Sequence, residues 1–173
     1  MGLFSKAKRF LGGHGVAVTI PEINGRPPGE RKPSPNTNIR IAVDVEAKED
    51  ATVLAHIGEL YAIKRGGDGP GQEYLLQRRV TDKPNPYLDD SEYTRANVVN
   101  EWPYAISSGQ SRRDTVMLNM QLDLDATVQK FGYRNMLEAI DDPELEFRVR
   151  VTADVEGSPF DPKAEASIEF VPN

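Results

Sequence analysis

The strongest constraint in this sequence is a strict two-residue alternation over residues 145–155. Leu145, Phe147, Val149, Val151, Ala153 and Val155 are apolar, and Glu146, Arg148, Arg150, Thr152 and Asp154 between them are polar. Successive side chains of a strand point to opposite faces, so this run lays one face on a core and the other in water. A helix would scatter the same residues around its axis. The pattern recurs at Ile39, Ile41, Val43 and Val45, with Arg40, Asp44 and Glu46 on the other face. It recurs again at Val116, Leu118, Met120, Leu122 and Leu124, set against Asn119, Gln121 and Asp123. One-sided strands belong to antiparallel sheets, whereas buried parallel strands read as continuous apolar runs. Two such sheets hide their apolar faces on each other, which predicts an all-β antiparallel sandwich.

The remaining segments fill in this plan. Val16, Val18 and Ile20 alternate until Pro21, where the strand is expected to stop. Residues 24–38 hold Pro27, Pro28, Pro33 and Pro35 and read as a loop. Residues 52–63 form a longer, less polar strand, suited to the middle of a sheet, and GGDGPG at 66–71 links it to Tyr74–Val80 as a hairpin. Residues 81–114 show no clear period; Trp102-Pro103-Tyr104 is expected to anchor their turn-rich, acidic part on the core. An inserted helix is expected over 126–140, with Val128 and Phe131 on one stripe and Tyr133, Leu137 and Ile140 on another. Gly132 weakens it, and Asp141-Asp142-Pro143 closes it. The turn GSPFDPK then leads to a last strand carrying Ala166, Ile168 and Phe170.

The first residues follow a different rule. Leu3, Phe4, Ala7, Phe10 and Leu11 fall at helical spacing, Lys6, Lys8 and Arg9 lie off that stripe, and Gly12-Gly13 ends the pattern. The expected division is a short amphipathic helix over 1–13 and a single β-sandwich domain over 14–173. So short a helix is marginal in water by itself, so its apolar face must be covered. Leu3, Phe4, Phe10 and Leu11 are therefore the expected partner-binding residues, for the chain's own domain or for a protein partner. An anionic lipid surface ranks below both, because three cations contribute only about 1 kcal/mol each there. The Met-Gly start lacks the Ser or Thr at position 6 that N-myristoylation requires.

Composition narrows the function classes. With no cysteine there is no disulfide framework, thiol nucleophile or thiolate metal site. No apolar run approaches the eighteen or so residues of a membrane span, and Lys6, Lys8 and Arg9 interrupt any secretory leader. A cytoplasmic location is expected. A net charge of −6 argues against nucleic acid as a partner. Arg78-Arg79 and Arg112-Arg113 read as solvated strand ends.

Among chemical motifs, Asp123-Leu124-Asp125-Ala126-Thr127 has the D-x-D-x-T order of haloacid-dehalogenase-type phosphatases. There the first carboxylate attacks phosphorus and the second protonates the leaving oxygen. That motif follows a buried parallel strand, and here it follows a one-sided one, so Asp123 is expected on a solvent face and Asp125 as a helix cap. His14 and His56 share no ligand spacing, and His56, alone on a strand, is expected to be partly buried and hydrogen-bonded. Asp82, Asp89, Asp90 and Glu92 lack the order of a calcium loop. GGDGPG lacks the Lys-Ser/Thr ending of a phosphate cradle. No metal, cofactor or catalytic residue is expected.

Several segments taken in order resemble one known family. These are the basic N-terminal stretch, Pro28-Gly29-Glu30, the strand NIRIAVDVEA, and a strand with Ala55, Ile57, Leu60 and Ile63. The closing FRVRVTADVEGSPFDPKAEASIEFVP completes the set. The chain resembles the arrestin-like sporulation-control protein family of bacteria. The resemblance implies a non-enzymatic regulatory or scaffolding β-sandwich in the bacterial cytoplasm that works through protein contacts, and it supplies no catalytic residues. Such proteins usually carry two arrestin-like halves, and this chain has room for one. The stretch 31–36 and the helix at 126–140 read as insertions. Two other classes stay open: a small phosphoester hydrolase using Asp123 and Asp125, and a self-associating structural subunit of a large assembly.

Overall fold

The computed structural model describes residues 8–9, 15–30, 38–66, 71–84, 98–118 and 130–171. In chain order its elements are β1 (Lys8–Arg9), β2 (Val16–Ile23), β3 (Ile39–Ala47), β4 (Ala51–Lys64) and β5 (Gln72–Thr81). There follow β6 (Tyr104–Ile106), β7 (Ser111–Leu118), α1 (Met136–Asp141), β8 (Leu145–Val155) and β9 (Lys163–Ile168). The larger sheet runs β1-β9-β8-β4-β5, with β6 pairing the start of β4, and the smaller runs β2-β3-β7. Every strand pairing in the two sheets is antiparallel. The expected all-β antiparallel sandwich is the fold.

The alternation in sequence becomes the core directly. In β8, Val149, Val151 and Ala153 are fully buried, while the residues between them are only partly covered. From the smaller sheet, Ile39, Ile41, Val43, Val45, Val116 and Leu118 meet them. Each such side chain contributes roughly 1.5–3 kcal/mol by leaving water. Long β4 lies centrally, as its low polarity predicts, between β8 and β5. The sheets approach closely at Gly58 of β4, where an added Cβ would stand 2.5 Å from Val116 Cγ1 of the opposite sheet. Glycine is therefore required there by packing. Phe170 follows β9 and meets Phe147 edge to face, with ring centroids 4.9 Å apart.

Several boundaries differ from expectation. The first long strand passes through Pro21 to Ile23, because β2 is an edge strand whose register shifts between Thr19 and Glu22. An irregular edge tolerates the missing N–H. The strand expected from Thr115 begins at Ser111, and its continuation past Leu118 lies outside the described residues. The inserted helix is not continuous over 126–140. Gly132 has φ +77°, and a new cap at Asn135 starts α1, its side chain accepting from the Glu138 N–H at 3.0 Å. Leu137, expected on an apolar stripe, is 46% exposed. The N-terminal helix is also corrected where it is described. Lys8 and Arg9 pair with Glu165 and Ala164 as a strand, since the outer edge of β9 offers backbone groups that need partners.

Candidate functional site

One polar cluster sits inside this apolar sandwich. His56 of β4 is 0% exposed, and its Nδ1 lies 2.9 Å from Oδ2 of Asp114 in β7, itself 2% exposed. Its Nε2 lies 3.0 Å from the hydroxyl of Tyr104 in β6. A carboxylate only accepts, so Nδ1 carries the proton, and the Tyr104 hydroxyl can donate to or accept from Nε2. Burial, then the Asp114 charge, pushes the Tyr104 phenol far above its ordinary range. Trp102 closes the cluster: its ring meets His56 edge-on at 5.0 Å and Tyr104 at 5.1 Å.

The cluster spans both sheets. His56 and Tyr104 belong to the larger sheet and Asp114 to the smaller, so a buried hydrogen bond links the layers through a mostly apolar core. The order carboxylate, imidazole, hydroxyl is that of a proton relay. Here all three groups are buried, and the hydrogen bond between His56 and Asp114 joins the two sheets.

The expected hydrogen bonding of His56 is present, though the ring is wholly rather than partly buried. Most of the acidic loop that Trp102 and Tyr104 were expected to anchor lies outside the described residues. Asp114 and its link to His56 were missed by sequence reasoning. The signal was there: Asp114 shares the inward parity of Val116 and Leu118, so extending that period backward places a carboxylate in the core. The other expected residues do not assemble with it. Leu3, Phe4, Phe10, Leu11, His14, Asp123 and Asp125 lie outside the described residues, as do Asp89, Asp90 and Glu92. Among the described residues no group of three or more His, Asp or Glu is placed to hold a metal ion. No described helix is long and apolar enough to cross a membrane.

The outer face of the larger sheet is charged and laced with ion pairs. Register places Arg78, Glu59, Arg150 and Glu165 in one row across β5, β4, β8 and β9, with charges alternating in sign. Arg150 also lies over the Tyr61 ring, 4.6 Å from its centroid. Arg148 bonds Glu146 at 3.0 Å, and Ser167 donates to the same carboxylate at 2.7 Å. On the smaller sheet Arg113 meets Asp44 through two nitrogens, at 2.6 and 2.8 Å. Arg113 lies exposed near the start of β7, as expected of a solvated strand end, and is also paired with a cross-strand carboxylate.

Fold and cluster together define a class: an antiparallel two-sheet β-sandwich joined by a buried polar clamp. No protein-family model and no curated protein matches the sequence. Among solved structures, the chain is similar to the crystal structure of Spo0M, a sporulation control protein from Bacillus subtilis, with 10% identity and a TM-score of 0.53. The match covers 91% of this chain and 49% of that one, so this chain spans about half the length of Spo0M. The likeness is one of fold, and it agrees with the β-sandwich expected from the sequence. The C-terminal domain of Wzt also matches, at 11% identity over 97% of this chain and 80% of that one, with a TM-score of 0.45. A β-glucosidase from Listeria innocua matches at 12% identity and a TM-score of 0.35, over 98% of this chain and 17% of that one.

Proposed function

We propose that this chain is a non-enzymatic regulatory or scaffolding β-sandwich of the bacterial cytoplasm that acts through contacts with other proteins. The observation that carries this reading is the burial of the Asp114–His56–Tyr104 cluster. The relay-ordered groups among the described residues are turned into the joint between the sheets, which leaves the exposed sheet faces and loops to do the work. The fold likeness to a sporulation control protein supports a regulatory setting. Affinity capture from the native cell tests the proposal, with recovery of a specific protein by the whole chain as the expected result. The competing hydrolase reading is tested by a Mg²⁺-dependent assay on an aryl phosphate. No turnover is expected; turnover that disappears in Asp123→Asn would replace this proposal with phosphoester chemistry at Asp123 and Asp125.

A further inference from the structure

Among the described residues the larger sheet has one long open edge. Among the described residues β5 pairs with β4 alone, so the opposite side of a ten-residue strand presents its backbone N–H and C=O groups without a sheet partner. Its side chains are well exposed: Leu75 is 42% and Val80 47% accessible. Tyr74 pairs with buried Ala62 and so faces the core side, where Phe131 packs on its ring. Proteins usually blunt such an edge or use it.

The charges on β5 decide which occupant fits. Glu73 lies near one end of the strand, and Arg78 and Arg79 lie near the other. Glu73 and Arg78 both point to the outer face, as their ion pairs with Arg150 and Glu59 show. Those pairs are loose, at 3.7 and 3.6 Å, with the side chains 43% and 55% exposed, so both groups can take a second partner. A strand with a negative start and a positive end is complementary to itself when reversed. β5 carries one extra residue at Leu76, where its register on β4 shifts, and this puts Glu73 and Arg78 on the same face. Antiparallel pairing about a twofold axis at that irregularity sets Glu73 of each copy opposite Arg78 of the other.

We infer that two copies of this chain pair antiparallel through β5, joining their larger sheets into one continuous sheet across a twofold axis. An isologous contact satisfies the edge backbone and makes the Glu73–Arg78 pair twice. It needs no other partner, so its test is independent of affinity capture.

The experiment is sedimentation velocity on the full chain across a concentration series. The wild-type chain is expected to form a dimer. Glu73→Arg and Arg78→Glu each place like charges opposite each other twice, and each is expected to weaken the dimer roughly tenfold or more. Mixing the two variants restores both opposite-charge contacts in the heterodimer, so dimer is expected to return in the mixture. Far-UV circular dichroism confirms that each variant is folded. A wild-type chain that stays monomeric at every concentration overturns the inference. So do single variants that dimerise like the wild type, and a mixture that fails to recover.

Discussion

A carboxylate in the core of a sandwich is tolerated only where a partner is fixed against it. Asp114 has that partner in His56 Nδ1, and Tyr104 holds the far side of the ring. His56→Phe keeps a planar ring but leaves the Asp114 carboxylate buried without its donor, a change that costs about 3–5 kcal/mol. Replacing both groups, in His56→Phe with Asp114→Leu, removes the stranded charge. The double variant is expected to lose less than the sum of the two single changes, because the members of a buried pair are coupled. Urea unfolding of the four proteins gives the coupling, and simple additivity would show that the pair is not a unit. At this scale the histidine was legible from its place on an apolar strand. Its partner was not, because pairing residues 58 positions apart depends on how the two sheets stack.

At the scale of elements, α1 is too short to be stable by propagation and is held by its ends. Asn135 and Glu138 cap its start, and Arg134 N–H donates to Glu138 at 2.7 Å. Asp142, just past its last residue, accepts from Lys64 Nζ at 2.6 Å and from the Tyr133 hydroxyl at 2.7 Å. This ties the helix to the end of β4. The Lys64 ammonium, then Tyr133 and the Glu144 N–H, bring the Asp142 carboxyl down to about 2. An unfolded Asp titrates near 3.9. The folded value is the lower one, so the tether contributes stability that is present above about pH 4 and is lost as pH falls through about 2. Partial exposure of both side chains screens the pair and keeps the effect modest. Asp142→Asn is expected to lower the urea midpoint at pH 7 and to show a smaller further loss between pH 4 and pH 2 than the wild type. Equal acid losses in the two proteins would mean that Asp142 is not the titrating tether. Gly132 is where the helix reading failed: a one-dimensional stripe counts apolar positions, and it does not register a reversal of φ between them.

For the whole molecule, the clamp places the single tryptophan at the joint between the sheets. Trp102 fluorescence therefore reports on contact between the layers, and far-UV circular dichroism reports on the strands themselves. Thermal or urea unfolding is expected to give coincident transitions by both probes, as one cooperative core requires. A fluorescence transition ahead of the dichroism would show the sheets parting before they melt. The sequence by itself determined the class of fold. The strict alternation at 39–45 and 145–155 demands one wet and one dry face per strand, and two dry faces have to meet. It also determined the central place of β4, whose residues leave little polar surface to expose. Tertiary structure alone decided that β8 lies beside β4 and β7 beside β3, because pairings such as Glu59 with Arg150 and Val43 with Asp114 join residues distant in the chain. It decided that Pro21 sits at an edge, where its missing N–H does no harm, and that Asp114 meets His56 rather than water. Local periodicity fixes the face each side chain takes. What stands opposite that face is set by the packing of one sheet on the other, which no window of neighbouring residues contains.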